Sequence, residues 1–255
     1  MSVSATDVTQ SAQNPLLAVS GLTKRFGGVV AVEGCGFSVR ERSITGLIGP
    51  NGSGKTTVFN LITGYLRADS GTMSFAGRPV HRPDPTGLYR RGLSRTFQQA
   101  RVFPQLTLVE NLVVAVQQPF SAMGRASLGR EDRAKAEEIL DRFGLMSHSE
   151  RKASELSFGQ RKLLEFATVL MGSPRLVLLD EPASGVNPVM VDQIEHHIRE
   201  LNAAGLTFLV VEHDMNLVMR LCDPIVVLDH GAKIAEGGPA EIRADPLVLD
   251  AYLGE

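Results

Sequence analysis

Four short stretches of the 255-residue sequence hold residue types at spacings that can do chemistry. The first, Gly49-Pro50-Asn51-Gly52-Ser53-Gly54-Lys55-Thr56, fits G-x-x-x-x-G-K-[ST] without mismatch. In such a loop, glycines let successive backbone N–H groups turn toward one phosphate chain, and the dipole of the following helix adds attraction. Lys55 supplies a point charge to the β- and γ-phosphates, the Thr56 hydroxyl can ligate Mg²⁺, and Thr57 closes the nucleotide-binding set. The second, LVLLDEP, ends an apolar run with two carboxylates. Asp180 is suited to hold Mg²⁺, mostly through water, and Glu181 to polarise a water for attack on the γ-phosphate. In the third, FLVVEHD, His213 follows another apolar run, where a neutral imidazole could hydrogen-bond the γ-phosphate. The fourth, Ser157-Phe158-Gly159-Gln160, opens an apolar run that reads as a helix. A serine there serves as an N-cap, as an anion site, or as both.

These residues need strands and helices to carry them. SITGLIG, at 43–49, is a short apolar strand running into the glycine-rich turn. KTTVFNLITG reads as a helix closed by Gly64, with Val58, Leu61 and Ile62 on one face. Strand-like runs with turn glycines precede it from Leu16, and SGTMSFAG follows as another strand. The Pro-rich RPVHRPDPTG predicts no helix until Leu88. From Thr107 to about Ser154 the sequence is helical, with Ala136, Ile139, Leu140 and Phe143 on one stripe. This predicts a helical subdomain, at approximately 104–165, inserted between two parts of one core. The runs at 176–180, 206–213 and 223–229 are nearly continuous in apolar residues, as strands covered on both faces of a parallel sheet are. Met190, Ile194, Ile198 and Leu201 recur at helical spacing between the first two, and DHGAKIAEGG predicts a hairpin. The alternation argues for an α/β fold whose mostly parallel sheet has helices on both sides.

Composition excludes several alternatives. The formal charge of −2 and the lack of any long Lys or Arg run argue against a nucleic-acid partner. Cys35 and Cys222 are the two cysteines; they lie far apart and match no metal spacing, which predicts buried free thiols. No run approaches the roughly 18–20 apolar residues that span a bilayer. Residues 1–15 are polar, lack the features of a signal peptide, and predict a disordered leader. The expected location is cytoplasmic, with any membrane link made through a partner. His81, His148, His196, His197 and His230 have no placement like that of His213 and are expected to be solvated.

With GPNGSGKTT, LSFGQ and LVLLDEP in this order, the sequence from Leu16 to Glu255 resembles the nucleotide-binding subunit of an ABC transporter. The resemblance implies a P-loop NTPase core of RecA-like type, an antiparallel N-terminal β subdomain and the inserted helical one. It implies a dimer with two ATP molecules sandwiched between P-loop and LSFGQ stretches of opposite subunits, paired with itself or with a similar chain. On that resemblance Ser157 and the Gly159 N–H serve the partner's ATP, with Phe158 and Gln160 in the same signature. Phe158 departs from the common LSGGQ, so its ring must point away from the nucleotide. Phe26, in TKRFGG, matches the aromatic that stacks on adenine, although an isolated Phe is also an ordinary core residue. Gln98, in SRTFQQ, matches the glutamine that touches Mg²⁺ and links to the membrane subunits; Gln99 leaves that register open by one residue. Asn187 stands where many relatives carry Asp. SRTFQQARVFPQLTLVENL, LSFGQRKLLEFA, DEPASGVNP, VVEHDMNLVM and AYLGE resemble the ATP-binding subunits of branched-chain amino acid importers and their amide and urea relatives. The expectation is an ATPase at the cytoplasmic face of the membrane, working with ATP, Mg²⁺, permease subunits and, indirectly, a solute-binding protein. Val102, Phe103 and Leu106 are candidates for the permease-docking groove or for plain core. The rivals are the ATPase of a lipid or lipopolysaccharide exporter, a non-transport ABC ATPase and a silent ATP-binding subunit.

Overall fold

The computed structural model describes residues 15–96, 102–116 and 129–253. Within them two sheets divide the strands. The first is antiparallel, in the order β2 (Val29–Val39), β1 (Leu17–Phe26), β4 (Ser70–Phe75), β5 (Arg78–Pro79). The second has six strands, in the order β10 (Ala232–Gly237), β9 (Ile225–Asp229), β3 (Ile44–Ile48), β8 (Thr207–Val211), β7 (Leu176–Asp180), β6 (Leu93–Arg95). All of its neighbours run parallel except β9 and β10. Those two form the expected hairpin. Asp229 pairs with Ala232 across His230 and Gly231, both at positive φ (43° and 83°), as a two-residue primed turn requires.

Strands β3, β7 and β8 are buried at every position, which is why their sequences read as unbroken apolar runs. Alternate side chains divide between two cores. Leu47, Leu178, Leu209 and Val211 join Val58, Phe59 and Ile62 of α1 (Lys55–Ile62) and the antiparallel sheet. Ile48, Val177, Leu179 and Val210 join the other core. Most of its helical residues come from α3 (Leu108–Ala115), α4 (Arg130–Arg142), α5 (Phe158–Leu170), α6 (Pro188–Ala203) and α7 (Met215–Leu221). Each such fully buried side chain contributes about 1.5–3 kcal/mol. The mostly parallel sheet with helices and an antiparallel β layer matches the expected fold class.

The expected stripe of Ala136, Ile139, Leu140 and Phe143 is buried. So are Ile194, Ile198 and Leu201, with Met190 packed against them. The short strands β5 and β6 were not predicted, and α2 (Pro85–Arg90) begins three residues before the expected Leu88. Pro85 occupies the first turn, where its missing N–H costs nothing, and Asp84 caps the helix by accepting from the Gly87 N–H at 2.7 Å. Helices α8 (Pro239–Ala244) and α9 (Pro246–Leu253) close the chain. The expected leader, up to residue 14, and the linker at 117–128 lie outside the described residues.

Candidate functional site

Strand register brings the chemistry to one edge. Leu47 of β3 pairs with Val211 of β8, which pairs with Asp180 of β7. The glycine-rich loop, Glu212-His213 and Glu181 therefore leave three adjacent parallel strands at one level. That is the carboxyl edge, where ligands of open α/β sheets gather.

The loop after β3 turns on Gly49, Gly52 and Gly54, with φ of 150°, 78° and 98°. Two of these positions admit no side chain. A Cβ on Gly49 would stand 2.0 Å from the Leu228 carbonyl oxygen, and one on Gly54 2.6 Å from that of Ala31. The loop rests on the turn of the β9–β10 hairpin, whose Gly231 N–H donates to the Ser53 carbonyl at 3.1 Å. Lys55 is buried, and its ammonium donates to the carbonyls of Gly49 and Pro50, each at 2.7 Å. Pro50 is buried and Asn51 and Thr56 are exposed, with Thr57 partly so. The start of α1 has Gly54 at the N-cap, no side-chain cap and no acid in its first turn. The Ser53 hydroxyl is buried beside it without a hydrogen-bond partner. Uncapped N–H groups, an orphaned hydroxyl and a lysine together are what a phosphate chain satisfies, so the residues fit ATP.

Asp180 is buried, and its Oδ2 accepts from Arg95 at 2.6 Å, with only 7% of the arginine and 8% of the aspartate side chain exposed. Arg95 also donates to Asn60 Oδ1 and Thr63 Oγ1, at 2.7 and 3.2 Å, and lies over the ring of Phe59. Removing one partner of so enclosed a pair costs about 3–5 kcal/mol. Glu181 sits at φ 48°, a left-handed conformation that a non-glycine residue keeps only when its neighbours hold it. Its N–H donates to the Val211 carbonyl at 2.9 Å. His213 is 60% exposed, so its imidazole faces the open side of the edge. Glu212, one residue earlier, is fully buried. Burial pushes its carboxyl above the ordinary range, while backbone N–H groups of Ala183, His213 and Asp214 act in the opposite direction.

The LSFGQ stretch opens α5 as a reciprocal cap. Ser157 Oγ accepts from the Gln160 N–H at 3.3 Å, and Gln160 Oε1 accepts from the Ser157 N–H at 3.0 Å. A Cβ on Gly159 would meet Met190 Cε at 2.7 Å, so the end of this α6 side chain packs directly on the glycine. Phe158 is exposed, and its ring lies 3.4 Å from where a Gly185 Cβ would stand. Asn187 caps α6, accepting from the Met190 N–H at 3.0 Å. Ser157 and Gln160 line a cavity with Phe143, Met190 and His197. His197 corrects an expectation: its side chain is only 12% exposed and stacks on Phe143 at 4.4 Å between centroids. Burial lowers its pKa. A helical position one residue from the exposed His196 turns it into the core edge.

Phe26, at the end of β1, is half exposed and outside the core, with the Lys24 ammonium 5.5 Å from its ring centroid. Asp69 pins the strand just before it, accepting from Lys24 Nζ at 2.9 Å and the Arg25 N–H at 2.7 Å. Gln98 and Gln99 lie outside the described residues. Downstream, Asn111 staples the loop ahead of α3. Its side chain accepts from the Phe103 N–H at 2.7 Å and donates to the carbonyls of Phe103, Leu106 and Thr107. Phe103 is thereby held exposed, while Val102 and Leu106 are partly buried. Cys35 and Cys222 are buried free thiols, pushed by burial up to about 11 and about 12. Sequence reasoning missed Arg95, Asn111 and Glu212. A charged or amide residue inside an otherwise apolar run was the available signal for the last two.

Comparison with known proteins fits this geometry. Residues 32–184 match the family model described as ABC transporter, and residues 232–255 match that described as branched-chain amino acid ATP-binding cassette transporter. The chain is 43% identical over 253 residues to a high-affinity branched-chain amino acid transport ATP-binding protein, LivG, of Salmonella typhimurium, covering 94% of this chain and 98% of that one. It is 41% identical over 251 residues to BraF of Pseudomonas aeruginosa, a protein of the same description, with the same shares covered. Among solved structures it is similar to a nucleotide-free ATP-binding cassette from an ABC transporter, with a TM-score of 0.84, 37% identity, and 94% and 100% of the two chains covered. It is also similar to the ADP conformation of an ATP-binding cassette of an ABC transporter, with a TM-score of 0.85, 36% identity, and 94% and 99% covered.

Proposed function

The chain belongs to the ABC transporter family as an ATP-binding subunit, and from that premise we propose that it hydrolyses ATP to energise uptake of branched-chain amino acids or related amides through a membrane importer. The observation that carries the substrate class is the match at residues 232–255 to the branched-chain amino acid type, joined to more than 40% identity with two relatives so described over nearly the whole chain. Among the described residues no helix is long and apolar enough to cross a membrane; permease subunits supply the channel in this reading. The chain then works as a peripheral subunit on their cytoplasmic face, in a dimer with itself or a second ATPase, and is linked to a solute-binding protein only indirectly, through the permease. The ATPase unit is 16–255, with the helical arm at approximately 104–165 carrying α3 and α4.

In this mechanism Phe26 stacks on adenine. The Gly49–Thr57 loop wraps the phosphates, with the Ser53 hydroxyl and the N–H groups at the start of α1 as donors. Lys55 exchanges the loop carbonyls for the β- and γ-phosphates. Thr56, Asp180 and Gln98 would hold Mg²⁺, whose chemistry is to neutralise charge developing on the phosphate oxygens. Glu181 orients and polarises the attacking water, and His213 hydrogen-bonds the γ-phosphate from the neighbouring strand end. Across the dimer, Ser157 and the Gly159 N–H touch the partner's γ-phosphate, with Phe158 and Gln160 shaping that helix end. Closure reaches the permease through the segment around Gln98 and the exposed Phe103 on its Asn111-stapled loop.

The test is to tag the chain, solubilise native membranes gently and identify what co-purifies by mass spectrometry. Two multi-span proteins with a second, shorter ATPase, and labelled leucine uptake lost on deletion, are the expected result. Recovery of envelope-spanning lipid-transport components instead would overturn the importer assignment.

A further inference from the structure

Glu212 takes no part in the mechanism above, yet it is a fully buried carboxylate at the carboxyl edge of the sheet. Its two oxygens serve two different loops. Oε1 accepts from the Ala183 N–H at 2.7 Å, two residues beyond Glu181. Oε2 accepts from the His213 N–H at 3.2 Å and lies 3.9 Å from His213 Nδ1. Among the described residues, that imidazole is the one group in ion-pair range of it. One residue earlier, the Val211 carbonyl accepts from the Glu181 N–H at 2.9 Å. The loop bearing Glu181 thus hangs on Val211 and Glu212, and the same Glu212 side chain holds the backbone of His213. A carboxylate is the side chain that suits this place. Each oxygen faces an N–H donor, and Gln would turn an NH₂ group toward one of them. Asp would fall a methylene short. An apolar residue would be cheaper to bury but would leave both N–H groups unpaired.

We propose that Glu212 is a positioning residue that couples the Glu181 loop to the His213 loop, so that the water-activating carboxylate and the γ-phosphate-sensing imidazole keep a fixed separation. The inference rests on the roles given above to Glu181 and His213. Coupling of this kind sets turnover more than nucleotide affinity, because the adenine, P-loop and Lys55 contacts lie elsewhere. It also predicts that the effect of Glu212 runs through His213.

The experiment uses the full chain and compares wild type, Glu212→Gln, His213→Ala and the double variant. Steady-state ATPase, binding of a fluorescent ATP analogue with Mg²⁺, and melting temperature are measured. Glu212→Gln should lower kcat about tenfold to a hundredfold, as misplacement by about 1 Å does, with KM and analogue affinity within about twofold. In the His213→Ala background the same change should cost less than about twofold, since groups acting as a unit are not additive. Wild-type kcat in Glu212→Gln beside an impaired His213→Ala overturns the coupling alone. Full additivity in the double variant does the same. Wild-type turnover in His213→Ala removes the role of His213 and the proposal with it. Glu212→Asp, which keeps the charge and shortens the reach, should resemble Glu212→Gln. If neither variant folds, Glu212 belongs to the core's stability and the coupling is wrong.

Discussion

The two helix starts that the proposed mechanism gives to phosphates are built in opposite ways. At α1 the N-cap is Gly54 and no side chain closes the end, while Ser53 buries an unpartnered hydroxyl. At α5 the end is already closed by the reciprocal bonds of Ser157 and Gln160. Both keep acids out of the first turn, which leaves the positive end of each dipole uncancelled. The difference teaches what each can be used for. An open helix start gains its missing hydrogen bonds only when an anion arrives, so it suits the primary site. A self-capped start is stable alone and can lend only what capping leaves over: the hydroxyl proton of Ser157 and the N–H groups of Phe158 and Gly159. Such a start suits late recognition of a phosphate already held by another chain.

The comparison can be broken most sharply at α1. Lys55→Ala should reduce ATP hydrolysis by at least about a hundredfold and abolish binding of a fluorescent ATP analogue; near-normal turnover would sink the assignment of the primary site. At α5 the prediction divides. Ser157→Arg should leave analogue binding by the isolated chain within about twofold but cut hydrolysis by at least about tenfold, because the bulk blocks the partner's phosphate. Hydrolysis at wild-type rate would show that the helix end serves only itself. A milder pair sharpens the cap. Ser157→Ala should cost about 1 kcal/mol, lowering the melting temperature by about 2–4 °C, whereas Ser157→Asn should restore most of it. Equal melting of both variants would contradict the capping geometry.

The smallest effect concerns pH. His197 lines the same cavity as Ser157, and burial depresses its folded pKa below its ordinary value of about 6.5. The unfolded chain therefore takes up the proton first, and the stabilisation present above about pH 6.5 is lost as pH falls through and below that value. His197→Phe, which keeps the stack on Phe143, should flatten that part of a melting-temperature profile. An unchanged slope would place the acid sensitivity elsewhere.

Much of the fold was legible because buried parallel strands must be apolar throughout: 176–180 was read to the residue, and β8 and β9 to within two. The glycine-rich loop was legible because its backbone admits little else. Misses came where meaning depends on a partner distant in sequence. Arg95 reads as a surface cation until Asp180, on the neighbouring strand, is placed beside it. Glu212 reads as the polar end of a strand until Ala183 is seen to need an acceptor. His197 reads as solvated until Phe143 of another helix stacks on it. Pro85 was taken to delay a helix that it in fact begins.

The strand pairing that assembles the site also sets when it can exist during synthesis. β3, which launches the glycine-rich loop, has as neighbours only β8 and β9, and Ile44 waits for Phe208 before its first rung can close. At about 5–20 residues per second, that wait lasts on the order of ten to thirty seconds. Through it, an apolar strand fated for the middle of the sheet is an unpaired edge, open to any other strand nearby. A nascent chain halted before residue 207 carries the whole phosphate loop but neither of the strands that flank β3. The last fifth of the sequence, which holds none of the phosphate-loop residues, therefore decides whether residues 49–57 ever become a nucleotide site.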